Sequence, residues 1–170
     1  LQTELLLVSD VTINGDTNRD GDADITISGG GDTKLVLVAS DVTAALTSLV
    51  LTNGFSNNDL GSAITNQGTL TVSYCTVSGN KATTGAIYDF ADTIINSGNL
   101  TIIQSVFSGN SAIAFGGSAA ATVLNIGTLT LDQVAIIGGT ATGGYGSPGV
   151  LSNGGAGGDA ALGILNLGTI

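Results

Sequence analysis

The chain has 170 residues, 13 of them acidic and 3 basic, with no histidine and a net charge of −10. Such a field repels phosphate backbones and offers no basic stripe, which argues against nucleic acid as a partner. No apolar run approaches the roughly 18 residues of a membrane-spanning helix, and the single cysteine, Cys75, excludes an internal disulfide and a thiolate metal cluster.

Residues 5–8 are an apolar run and residues 11–13 alternate after a Ser-Asp break, so both read as short strands. The acidic stretch NGDTNRDGDAD follows as a loop, and residues 25–27 form a third alternating strand. After the turn SGGGD the pattern starts again at residues 35–38, 42–46 and 49–51. On this register the leading strands are residues 5–8, 35–38, 62–65, 92–95, 121–124 and 161–165. The second strands are 11–13, 42–46, 69–72, 99–102 and 128–131, and the third are 25–27, 49–51, 75–77, 105–107 and 134–136. Gly/Asn/Ser/Ala-rich excursions connect the units, the longest being residues 138–160.

The clearest repeats are NQGTLTVSYCTVSGNKA from Asn66, NSGNLTIIQSVFSGNSA from Asn96 and NIGTLTLDQVAIIGGTA from Asn125, with NLGTI from Asn166. A period of about 30 residues built from short alternating runs is the mark of a solenoid. The apolar residues are mostly Val, Ile, Leu and Ala, which suit narrow stacked strands. The expected fold is all-β, a parallel β-helix with three short strands per coil and about five to six coils. The pattern runs at both ends, so residues 1–170 are expected to be a single β-helix domain, processed or cut from something longer.

Stacking predicts columns of like residues: Leu70, Leu100 and Leu129; Val72, Ile102 and Leu131; Val77, Phe107 and Ile136. Asn66, Asn96, Asn125 and Asn166 are expected to form an amide ladder, with Gly68, Gly98, Gly127 and Gly168 supplying positive φ two residues on. Cys75 sits in an apolar alternation and reads as a small core residue.

GSAI at residues 61–64 and FSGN at 107–110 resemble the paired GGAI and FxxN signatures of polymorphic outer-membrane-type repeats, which are right-handed parallel β-helices. The opening DVTINGDTNRDGDADITISG looks like the start of related large bacterial surface proteins. This resemblance implies a right-handed β-helix, secreted or displayed on a bacterial cell surface, with adhesive or structural use. The sequence departs from the pattern where the third unit has GGTA for GNSA, and where GAIY at Gly85 stands off the register.

The sharpest chemical signal is Asp16-Thr-Asn18-Arg-Asp20-Gly21-Asp22-Ala-Asp24. Oxygen side chains at alternate positions with glycine at the sixth match the first half of a calcium-binding loop. Asp16, Asn18, Asp20 and Asp24 would contribute side chains and Asp22 its carbonyl. Position twelve is Ile27 rather than the bidentate Glu of an EF-hand, so another carboxylate, a carbonyl or water would complete the shell. Closely spaced carboxylates repel unless a cation or solvent screens them, and Ca²⁺ is the expected cofactor, against a hydrated Asp/Asn turn.

The functional expectation is a non-catalytic extracellular module that associates with other protein, with itself through β-helix ends or loops, or with a cell-surface glycan. A polysaccharide lyase or hydrolase is the alternative, but Arg19, Lys34 and Lys81 stand at non-equivalent places, and only Asp89 and Asp92, beside Tyr88, make an acidic pair outside the N-terminal region. Ice binding is a further alternative, because Thr69-Leu-Thr71 and Thr128-Leu-Thr130 place threonines outward, although Asn99 interrupts the file.

Overall fold

The computed structural model describes residues 1–57, 61–84, 90–114, 118–143, 160–161 and 163–170. Strands joined by bends, turns and short irregular segments account for them, and no helix occurs among them. An opening coil holds β1 (Leu5–Leu7), β2 (Val11–Asn14) and β3 (Ile25–Ser28). The next contains β4 (Val36–Val38), β5 (Thr43–Thr47), β6 (Leu49–Thr52) and β7 (Phe55–Ser56). Then come β8 (Ile64–Asn66), β9 (Thr69–Ser73), β10 (Thr76–Ser78) and β11 (Lys81–Thr84). The following coil has β12 (Phe90–Asn96), β13 (Asn99–Ile103), β14 (Val106–Ser108) and β15 (Ser111–Ala114). After it are β16 (Ser118–Asn125), β17 (Thr128–Asp132), β18 (Ala135–Ile137) and β19 (Thr140–Thr142), and β20 (Ala160–Ala161) and β21 (Ile164–Asn166) begin a further turn.

Equivalent strands stack into four sheets. The first runs β1-β4-β8-β12-β16-β20 with β21 also on β16, the second β2-β5-β9-β13-β17, the third β3-β6-β10-β14-β18 and the fourth β7-β11-β15-β19. Within each sheet the pairs are parallel. The molecule is therefore a β-solenoid of about four complete turns between partial ones, and the expected five to six coils include those partial ends.

A fourth strand joins the expected three. It lies where the sequence reads as excursion, because KATT, SAIA and TAT carry little apolar signal. Their inward column is Ala82, Ala112 and Ala141, small residues that let the fourth wall approach closely. The sequence departure GAIY falls at residues 85–88, outside the described residues.

All three predicted apolar columns form. Leu70 pairs with Leu100 and Leu100 with Leu129, Val72 with Ile102 and Ile102 with Leu131, Val77 with Phe107 and Phe107 with Ile136. Each fully buried aliphatic side chain of this kind contributes roughly 1.5–3 kcal/mol. Phe107 is the largest wholly buried side chain among the described residues, and its neighbour Ile136, in the last described tier of the third sheet, is 38% exposed.

The corner between second and third strands is made by one residue in the left-handed region: Ser48, Tyr74, Gln104 and Gln133 have φ of 50°, 55°, 44° and 53°. Its N–H bonds the coil above or below, as Tyr74 N to Ile103 O at 3.1 Å and Gln104 N to Asp132 O at 2.8 Å. Four residues accept the backbone cost of this conformation because the stacked register fixes the turn in every coil.

Candidate functional site

The asparagine ladder is the most completely formed polar feature. Asn66 Nδ2 donates to Asn96 Oδ1, Asn96 Nδ2 to Asn125 Oδ1 and Asn125 Nδ2 to Asn166 Oδ1, each at 2.7 Å. Each Nδ2 also donates to the carbonyl of the glycine two residues on, at 3.1–3.2 Å. The ladder ends at Asn66, whose buried Oδ1 has no hydrogen-bond partner because Val38 occupies the next rung.

The glycines serve a different purpose from the one the sequence suggests. None of Gly68, Gly98, Gly127 and Gly168 has positive φ, and neither do the ladder asparagines. What requires glycine is close stacking: a Cβ on Gly98 would lie 2.0 Å from Gly68 O, and one on Gly127 2.1 Å from Gly98 O. Positive φ belongs instead to Gly79, Gly109 and Gly138 at the turn after the third strand.

A second, shorter ladder sits beside that turn. Asn80 Nδ2 donates to Asn110 Oδ1 at 3.1 Å and to Leu51 O at 3.1 Å, while Asn110 Nδ2 donates to Val77 O at 2.9 Å. The SGN repeat marks both asparagines in the sequence. The ladder stops in the next coil because Gly139 replaces asparagine there, the GGTA departure seen in the sequence.

The acidic loop lies between β2 and β3 and is closed by its own hydrogen bonds. Asp24 reaches back to accept from Thr17 N at 2.8 Å and Thr17 Oγ1 at 2.7 Å, with a longer bond from Asn18 N at 3.3 Å. Asp16 accepts from Arg19 N at 2.6 Å and Gly21 N at 3.2 Å. Asn18 Oδ1 accepts from Asp20 N at 2.9 Å, Asn18 Nδ2 donates to Asp20 at 3.0 Å, and Asp20 accepts from Asp22 N at 3.0 Å. The Thr17 hydroxyl, aided by the backbone N–H groups of Thr17 and Asn18, holds the Asp24 carboxyl below its ordinary 3.8.

Calcium can be tested against these groups. The donors fit in kind and in order, but their carboxylates cap the loop's own amides. As the loop stands, no group of three or more acidic, cysteine or histidine side chains among the described residues is gathered closely enough to hold a metal ion. Asp22 contributes its N–H to the turn.

The remaining chemistry-bearing residues are dispersed. Lys34 pairs with Glu4 at 3.7 Å, Arg19 is in the acidic loop, and Lys81 is exposed at the start of β11. Asp92 is wholly buried in β12, while Tyr88 and Asp89 lie outside the described residues. Cys75 is buried, its thiol donating to Ser73 O at 3.2 Å, and burial pushes its pKa up. The outward threonines stack as Thr71-Thr101-Thr130, beside the column Thr69-Asn99-Thr128 that Asn99 breaks. No helix of the described residues is long and apolar enough to cross a membrane. Compared with protein-family models, with characterised proteins and with solved structures, the chain matches none.

Proposed function

We propose that the chain is part of a non-catalytic bacterial surface rod, secreted or displayed on the cell, of the polymorphic outer-membrane repeat kind. Its coils stack into a scaffold, and its ends and loops associate with other protein or with further copies. The observation that carries this reading is the coil-to-coil register: the same apolar and amide columns recur through the stack, and among the described residues the one gathering of carboxylates, the acidic loop, caps its own amides. Asp92, the described member of the acidic pair that hydrolysis would use, is closed to substrate. Apolar side chains at the outer tiers, with Leu6, Ile136 and Ile137 at 55%, 38% and 61% exposure, are the surfaces a further coil or another molecule would cover.

Sedimentation velocity over a wide concentration range tests the association. The expected result is reversible growth in mass with concentration, reduced by Ile136→Lys. A monomer that persists at the highest concentration would refute it.

The acidic loop enters this proposal as a calcium-held turn between β2 and β3. Its support is the spacing of Asp16, Asn18, Asp20 and Asp24 around Gly21, and the further lone pair on each carboxylate oxygen of Asp16 and Asp20, which accept one hydrogen bond apiece. Titration calorimetry should give saturable calcium binding to the chain and none to an Asp16→Asn/Asp20→Asn variant. No heat from the unaltered chain would remove calcium and leave the rod intact.

A further inference from the structure

The acidic loop folds against the corner between the second and third sheets, leaving a groove of about 240 Å³ lined by Asn14, Asp16, Gly21, Thr47, Ser48 and Tyr74. Tyr74 is 54% exposed there, at a corner that Ser48, Gln104 and Gln133 occupy in other coils. The turn therefore does not need an aromatic ring, and the core gains little from one so exposed.

We infer that this groove binds one ring of a neutral saccharide, with Tyr74 as its stacking platform and Asn14, Asp16 and Thr47 as its polar rim. A sugar ring presents polarised C–H bonds on a face and hydroxyls around its edge. The electron-rich face of tyrosine attracts the first, and a planar carboxylate beside a planar amide suits the second. Asp16 accepts backbone N–H bonds from Arg19 and Gly21, and each carboxylate oxygen retains another lone pair for a sugar hydroxyl. Asn14 engages its Oδ1 with Asp16 N at 3.0 Å, so its NH₂ group is the complementary donor. Thr47 Oγ1 lies 3.1 Å from Ser73 Oγ, which fixes the hydroxyl at the rim.

Size and charge narrow the ligand. The groove is smaller than the roughly 300 Å³ at which drug-sized pockets begin, in keeping with a single ring. Asp16 and its acidic neighbours disfavour uronates and other anionic sugars. A peptide would need apolar pockets or an open strand edge, whereas the groove offers one ring amid polar groups. The site goes beyond the proposed surface role and does not depend on it: sugar binding can fail while association stands, and the reverse.

Saturation-transfer NMR on the whole chain, in calcium and again in EDTA, with maltotriose, cellotriose and triacetylchitotriose as probes, tests the inference. Transfer to ring protons of at least one trisaccharide is expected, retained in Tyr74→Phe and lost in Tyr74→Ser. Serine already occupies the equivalent corner at Ser48, and circular dichroism checks that the variant remains folded. No transfer to any of the three probes, or transfer undiminished in folded Tyr74→Ser, would overturn the site.

Discussion

Gly98 and Gly109 both belong to repeated turns, yet different forces require them. A Cβ on Gly98 would meet backbone atoms of the adjacent coil at 2.0–2.8 Å, so the stack must open to admit it. Gly109 has φ of 60° and nothing within 4 Å of a built Cβ, leaving only the left-handed backbone penalty. Gly98→Ala should therefore cost about 3 kcal/mol or more, and Gly109→Ala about 1–2 kcal/mol. Urea unfolding monitored by circular dichroism would show the larger midpoint loss for Gly98→Ala, and equal losses would contradict the stacking account. The same contrast applies to asparagine: removing the middle rung Asn96 leaves the buried Asn125 Oδ1 without its donor, at about 1–3 kcal/mol, whereas Asn166 is exposed. The sequence revealed the period of these residues, but which glycine is needed for clearance and which for φ depends on how nearly two coils touch.

The acidic loop is an element whose conformation depends on protonation. Because hydrogen bonding depresses the folded Asp24 pKa below 3.8, its contribution to loop order is present above that value and is lost as pH falls through the lower folded value. An NMR titration should place the Thr17 amide transition below 3.8, and Thr17→Val should move the Asp24 midpoint back toward it. An unmoved midpoint would mean that Thr17 does not hold the carboxylate. The loop's position between strands was legible from its polarity and glycine, but the return of Asp24 onto Thr17 was not, since no periodicity encodes it. The fourth strands are illegible in the sequence for a related reason: Ala82, Ala112 and Ala141 form a wall through smallness and neighbours rather than a strong apolar alternation.

At the scale of the molecule, each coil is held chiefly by the coils on either side. A charge at Leu100, which is 1% exposed between Leu70 and Leu129, should thus damage three tiers and spare more distant ones. Hydrogen exchange on Leu100→Lys should show protection lost in β9, β13 and β17 but retained in β2 and β5; uniform loss would indicate one cooperative unit instead. By itself the sequence determined the parallel stack, its three apolar columns and the Asn66-Asn96-Asn125-Asn166 ladder, because a repeat of similar length places like residue over like. Only the tertiary structure decided the fourth sheet, the steric need for Gly98, the corner occupied by Tyr74 and the capping of the acidic loop. Those features depend on distances between coils and across corners, which residue order leaves open until the walls close around the core.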